Sequence, residues 1–118
     1  MAQERAIKGA VVQAEDPSWS SLEAVLGTEL ARWFMWMYEL RLEDGTRVDA
    51  YKHVVTRRYL HLSGTGSALR YGVEGHYLGV DLASAITTTF ESWQRAGPSP
   101  RDVQLLATAV ASAGRLAA

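Results

Sequence analysis

The stretch ELRLEDGTRVDA, Glu39 to Ala50, constrains the fold of this chain more than any other. Apolar and polar residues alternate on both sides of Asp44-Gly45, the pattern of two half-buried strands joined by a tight turn. The alternation also selects the register. A two-residue loop would set Leu42 against Arg47 and Leu40 against Asp49, mixing apolar and charged side chains on one face. A three-residue loop, Glu43-Asp44-Gly45 with Gly45 left-handed, sets Leu42 against Thr46, Leu40 against Val48 and Tyr38 against Ala50, so one face stays apolar. Because a one-residue slip inverts every side chain, the three-residue loop is expected. The same register puts Glu39 opposite Asp49. Like charges so placed repel, so either Arg41 and Arg47 compensate diagonally or the register is wrong.

Upstream of the hairpin, WFMWMYEL (Trp33–Leu40) is apolar on both faces of any strand it forms. Alternation assigns Phe34, Trp36, Tyr38 and Leu40 to one face and leaves Trp33, Met35 and Met37 over. Downstream, the same parity turns Leu60 and Leu62 inward with Leu42, Val48 and Ala50, and turns Tyr51, His53, Arg57, Tyr59 and His61 outward. GTGS (64–67) and VEGH (73–76) read as turns, with ALRY and YLGV as the strands beside them. A helical stripe through Val48, Tyr51, Val55, Tyr59 and Leu62 competes with strands over 46–62. The content of tyrosine, valine and threonine favours strands.

Helix signals flank this region. Asp16-Pro17 and Ser20, with Glu23 placed as in a capping box and Gly27 as a stop, predict a short helix near 17–26, with a second turn through TELARW left open. Asp81 as N-cap and Gly97 as stop bracket a helix with Leu82, Ala85, Ile86, Phe90 and Trp93 on one stripe. Ser99-Pro100 opens another, lined by Val103, Leu106, Val110 and Ala113. The expected architecture is α+β: an antiparallel meander of four to five strands over about 33–80, a short N-terminal helix, and two C-terminal helices packed on one face. At 118 residues, with no repeat or linker, one domain over 1–118 is expected, with residues 1–15 as a mobile arm.

Composition narrows the function. No cysteine is present, so disulfides and thiolate chemistry are excluded, and a cytoplasmic location is the simplest expectation. No stretch resembles a signal peptide or a membrane span. Histidine spacings match no metal motif, GTGSALRYG lacks the lysine and helix start of a phosphate loop, and no serine sits in a nucleophile elbow. No cofactor, metal or membrane partner is therefore expected.

The outward face of the expected sheet remains, and it carries four readings. It can be core and solvated rim, covered by the N-terminal segment. It can be a docking surface for a second copy or a protein partner, through Met35, Met37, Tyr51, His53, Arg57, Tyr59 and His61, residue types common at interfaces. It can bind nucleic acid through Tyr51, Lys52, Arg57, Arg58, Tyr59 and Arg70, since Tyr51–Val73 holds four cations and no acid. The net charge of −1 weakens this. Lastly, His53 and His61 could be the acid–base pair of a metal-independent ribonuclease, with Arg57 or Arg58 on the phosphate. The expectation favoured is a non-enzymatic interaction protein, as a homodimer or with a protein partner.

Overall fold

A computed structural model describes residues 6–13 and 16–116. The elements in chain order are β1 (Ile7–Val12), α1 (Ser20–Ala31), β2 (Phe34–Leu42), β3 (Arg47–His53), β4 (Tyr59–Ser63), β5 (Ala68–Tyr71), β6 (His76–Val80), α2 (Leu82–Thr89) and α3 (Pro100–Leu116), with a short 3₁₀ turn at Trp93–Ala96. The mixed α+β class and the antiparallel sheet are as expected, and 46–62 is strand, turn and strand rather than helix. The strand count is not. Six strands close into an antiparallel barrel, because β1 pairs with β2 on one side and with β6 on the other.

Part of the segment expected to be an arm is thus the strand that shuts the barrel; the rest of 1–15 that lies in 1–5 and 14–15 falls outside the described residues. Gly9 hides this strand in the sequence, since glycine weakens strand patterns. It also makes the closure possible: a Cβ at Gly9 would lie 2.7 Å from Leu42 Cδ2 and 3.3 Å from the Tyr77 ring.

The hairpin register is the expected one. Leu40 faces Val48, Tyr38 faces Ala50, Leu42 donates its N–H to Thr46, and Gly45 is left-handed at φ 91°. Arg41 and Arg47 neutralise the Glu39–Asp49 pair. Arg41 binds Glu39 at 2.7 Å, Arg47 reaches Glu39 at 3.2 Å and Asp49 at 3.0 Å, and Trp36 Nε1 donates to Asp49 at 2.9 Å. Both carboxylates are buried, and these partners offset the desolvation.

What the alternation misassigns is the face. A β-bulge between Trp36 and Tyr38 makes Met37 an extra residue, so Trp36 pairs with Tyr51 while Tyr38 pairs with Ala50. Parity therefore reverses within β2. Phe34, Trp36, Tyr51, His53, Leu60 and Leu62 lie on the outer surface of the barrel, under the helices. Tyr38, Leu40, Leu42, Val48, Ala50 and His61 point into it, as the pairing of Ala50 with His61 requires. Tyr51 and His53, expected on the uncovered face, are wholly buried.

Two apolar clusters follow from this arrangement. The outer one joins Leu22, Leu26 and Leu30 of α1, Ile86 of α2, Ala109 and Ala113 of α3 and the rings of Phe90 and Trp93 to the barrel wall. The inner one is Leu40, Leu42, Val48 and Tyr77, flanked by Ile7, Tyr38 and Leu69. The helices differ from expectation in detail. α1 breaks at Gly27 (φ 81°) and continues through the second turn, and its first turn has no side-chain cap, so the Ser20–Glu23 capping box does not form. The Asp81 cap on Ser84 N–H and the Ser99 cap on Asp102 N–H are made, at 2.9 and 3.1 Å. The helix after Asp81 ends at Thr89, and Ser92 at φ 72° turns the chain into the 3₁₀ segment. Among the described residues no helix is long and apolar enough to cross a membrane.

Candidate functional site: the open end of the barrel

The inner cluster borders a cavity, and Tyr77, Tyr38 and Leu69 belong to both. The inner face at this cavity carries Tyr38 from β2, Tyr59 and His61 from β4, Leu69 and Tyr71 from β5 and Tyr77 from β6. With Arg70 these residues line a cavity of about 410 Å³. That is within the usual range for small-ligand sites. The pairing explains the convergence. His61 sits between Ala50 and Leu69, and Tyr71 sits beside Tyr77, so the alternating inward positions of four strands become one ring of aromatic side chains.

The rings contact one another. Tyr59 stacks on His61 with centroids 5.8 Å apart, Tyr77 tilts against His61 at 5.6 Å, Tyr38 lies 6.2 Å from Tyr59, and Tyr71 meets Tyr77 edge-on at 5.3 Å. Tyr71 is tied back by its hydroxyl, which accepts from Gly75 N–H at 3.1 Å. Burial raises the pKa values of Tyr38 and Tyr77, with neighbouring tyrosines adding to the shift, so both hydroxyls stay protonated as donors.

His61 is the floor of this cup. It is 7% exposed, and its Nε2 is buried without a hydrogen-bond partner. Burial lowers its pKa to about 4, so the imidazole is neutral at physiological pH. An unpaired buried polar atom costs roughly 1–3 kcal/mol, and the Nε2 of His53 is left unpaired in the same way.

The rim is basic. Lys52 pairs with Tyr59 across β3 and β4, and its Nζ lies 5.6 Å from the Tyr59 ring centroid. Arg70 lines the cavity itself, whereas no acidic side chain does. Met35, the cross-strand partner of Lys52, extends the same face outward and is 37% exposed.

Three of the seven residues expected on a docking face, Met35, Tyr59 and His61, share the inner face at this end. Met37 is exposed at the bulge, and Arg57 lies in the β3–β4 turn with φ 66°. Tyr51 and His53 are elsewhere. Tyr51 donates its hydroxyl to Ser18 O at 2.6 Å beneath Trp19. His53 lies among Trp33, Phe34, Phe90 and Trp93, and its Nδ1 accepts the N–H groups of Val55 and Thr56 at 3.1 and 3.2 Å, holding the turn. His53 and His61 occupy opposite faces of the sheet, so the structure does not bring them together as an acid–base pair.

Of the basic–aromatic set, Lys52, Tyr59 and Arg70 meet at the cup, while Tyr51 is buried. Arg58 pairs loosely with Glu91 at 3.7 Å on the surface. Sequence reasoning missed Tyr38, Leu69, Tyr71 and Tyr77. The available signal was Tyr71 and Tyr77 flanking the VEGH turn, which a hairpin places side by side. Compared with protein-family models, curated proteins and solved structures, the chain finds no match, so its site is read from its own residues.

Proposed function

We propose that this is a non-enzymatic binding protein and that the open end of the barrel is where it binds. The observation that carries this reading is the cavity of about 410 Å³ ringed by four tyrosines, with the neutral ring of His61 among its lining residues. Four aromatic faces supply dispersion and stacking, the hydroxyls of Tyr38, Tyr59 and Tyr77 supply orientation, and a neutral imidazole can donate or accept. A planar, mostly apolar ligand of one or two rings suits that combination. A cytoplasmic site of action, suggested by the cysteine-free chain, goes with this reading.

The test is an amide-shift titration with indole as the probe. Saturable shifts at His61, Leu69, Tyr71 and Tyr77, lost in Tyr59→Ala, are expected. Shifts confined to the α2–α3 surface, or none, would refute the proposal.

A second reading, docking of a protein partner or of a second copy, draws on Met35 and Met37, each 37% exposed beside the rim. It predicts a dimeric sedimentation mass that Met37→Asp reduces to that of a monomer; a monomeric mass for the unaltered protein would remove self-association. The nucleic-acid alternative keeps only Lys52, Tyr59 and Arg70 at the cup. It requires oligonucleotide binding that weakens steeply with salt.

A further inference from the structure

The cup has a second compartment. β4 pairs with β5 only at His61–Leu69 and Leu62–Ala68, whereas β5 goes on to pair with β6 through Arg70 and Tyr71. Beyond Leu69 the seam between β4 and β5 is therefore unzipped, although β4 stays paired to β3 through Leu60 and Tyr59. A second cavity of about 220 Å³ lies along that seam, between the barrel wall and α2. Tyr59, Leu69 and Arg70 line both cavities.

The charge pattern at this junction is one-sided. Arg70 makes no ion pair among the described residues, and neither cavity is lined by an acid. Lys52 stands on the other side of Tyr59. On the α2 side the seam presents Thr88, while Ser84 spends its hydroxyl hydrogen on Asp81 at 2.9 Å. An exposed arginine fork beside an aromatic cup is suited to a carboxylate or a phosphate, which it can grip with two parallel hydrogen bonds.

We propose that the two cavities form one bipartite site for an aromatic ring bearing an anionic group, with the ring in the tyrosine cup over His61 and the anion at Arg70 in the β4–β5 seam. This rests on the binding role proposed for the cup and adds the ligand's chemical class. The shared chemistry has two sources, an aryl carboxylate or a nucleoside monophosphate.

Calorimetric titrations of the full chain with indole, indole-3-acetate, adenosine and adenosine monophosphate separate these possibilities. At least one anionic probe should bind on the order of ten times more tightly than its neutral counterpart, the worth of a charge-assisted hydrogen bond. Arg70→Gln should bring that pair to parity by weakening the anionic probe far more than the neutral one. Arg70→Lys should retain part of the preference. The probe that shows the preference identifies the source.

Equal affinity within both pairs would overturn the inference while leaving the cup intact. So would a preference that survives Arg70→Gln and is lost in Lys52→Gln, which would put the anion on the outer rim. No binding by any probe would remove both the inference and the reading beneath it.

Discussion

His53 and His61 lie eight residues apart on neighbouring strands, both buried and both held neutral by desolvation with pKa values lowered to about 4. Their surroundings differ in one respect. His53 accepts two backbone N–H groups through Nδ1 and is enclosed by tryptophan and phenylalanine rings, so it organises the β3–β4 turn. His61 has its ring among the residues that line a cavity, while the Nε2 of both histidines is buried without a hydrogen-bond partner. The same contrast separates the two halves of the molecule. The cluster outside the barrel is packed by side chains from three helices, and the cluster inside it borders an open cavity through Tyr77, Tyr38 and Leu69. Burial among close-packed rings, with Nδ1 holding two backbone N–H groups, marks a structural residue. Burial at the wall of an open cavity leaves a ring face within reach of a ligand.

The sharpest way to break this contrast is to delete Met37. Without the bulge, either Phe34 and Trp36 leave the helices or Tyr38, Leu40 and Leu42 leave the barrel interior, since parity must then run unbroken along β2. Loss of cooperative unfolding is expected in a thermal or denaturant melt. Met37→Ala keeps the extra residue and should remain folded. Retention of a native melt by the deletion variant would contradict the two-faced assignment of β2.

Truncation of the outer cluster comes next in size. Trp93 is fully buried against Trp33, Phe90 and His53. Trp93→Ala should cost about 3–5 kcal/mol in denaturant unfolding, as large-to-small changes at buried rings do. The amide shifts that indole produces at the cup should persist under conditions where the variant is folded.

The bulge also explains how much of this was legible. The hairpin register, the turns at 64–67 and 73–76 and the caps at Asp81 and Ser99 depend on neighbouring residues and were readable, whereas Gly97, expected to stop the helix opened by Asp81, instead ends the 3₁₀ segment after that helix has stopped at Thr89. Three features depend on contacts distant in sequence and were not readable. Met37 looks like any strand residue until Trp36 and Tyr38 are seen to pair with consecutive residues of β3. Ile7–Val12 shows no period because Gly9 makes room for Leu42 and Tyr77. The cup needs four strands brought round a barrel, so Tyr59 and His61 could be singled out while Tyr38, Tyr71 and Tyr77 could not.

The pH dependence of stability tests the state of both histidines. Each has a folded pKa below its unfolded value of about 6.5, so the unfolded chain binds more protons between pH 6.5 and pH 4. Stability contributed by keeping them neutral is complete above pH 6.5 and is lost as pH falls towards 4. The loss should be on the order of 2 kcal/mol for each histidine, measured as unfolding free energy at pH 7.5 and pH 4.5. His61→Leu should remove about half of that slope. An unchanged slope would mean that His61 is not buried neutral.

The smallest effect on stability separates the two residues most cleanly. His53→Leu removes an acceptor from two turn N–H groups and should destabilise by about 1–3 kcal/mol even at pH 8. His61→Leu removes a polar atom that has no partner and replaces it with an apolar group of similar bulk, so at pH 8 it should be within about 1 kcal/mol of the unaltered protein and can exceed it. A residue selected for folding would not behave this way, because replacing it would cost stability. His61→Leu should instead abolish indole binding at the cup while the melt is preserved. A variant that melts as His53→Leu does, or that binds indole undiminished, would place His61 with the structural histidine and leave the cavity without its polar anchor.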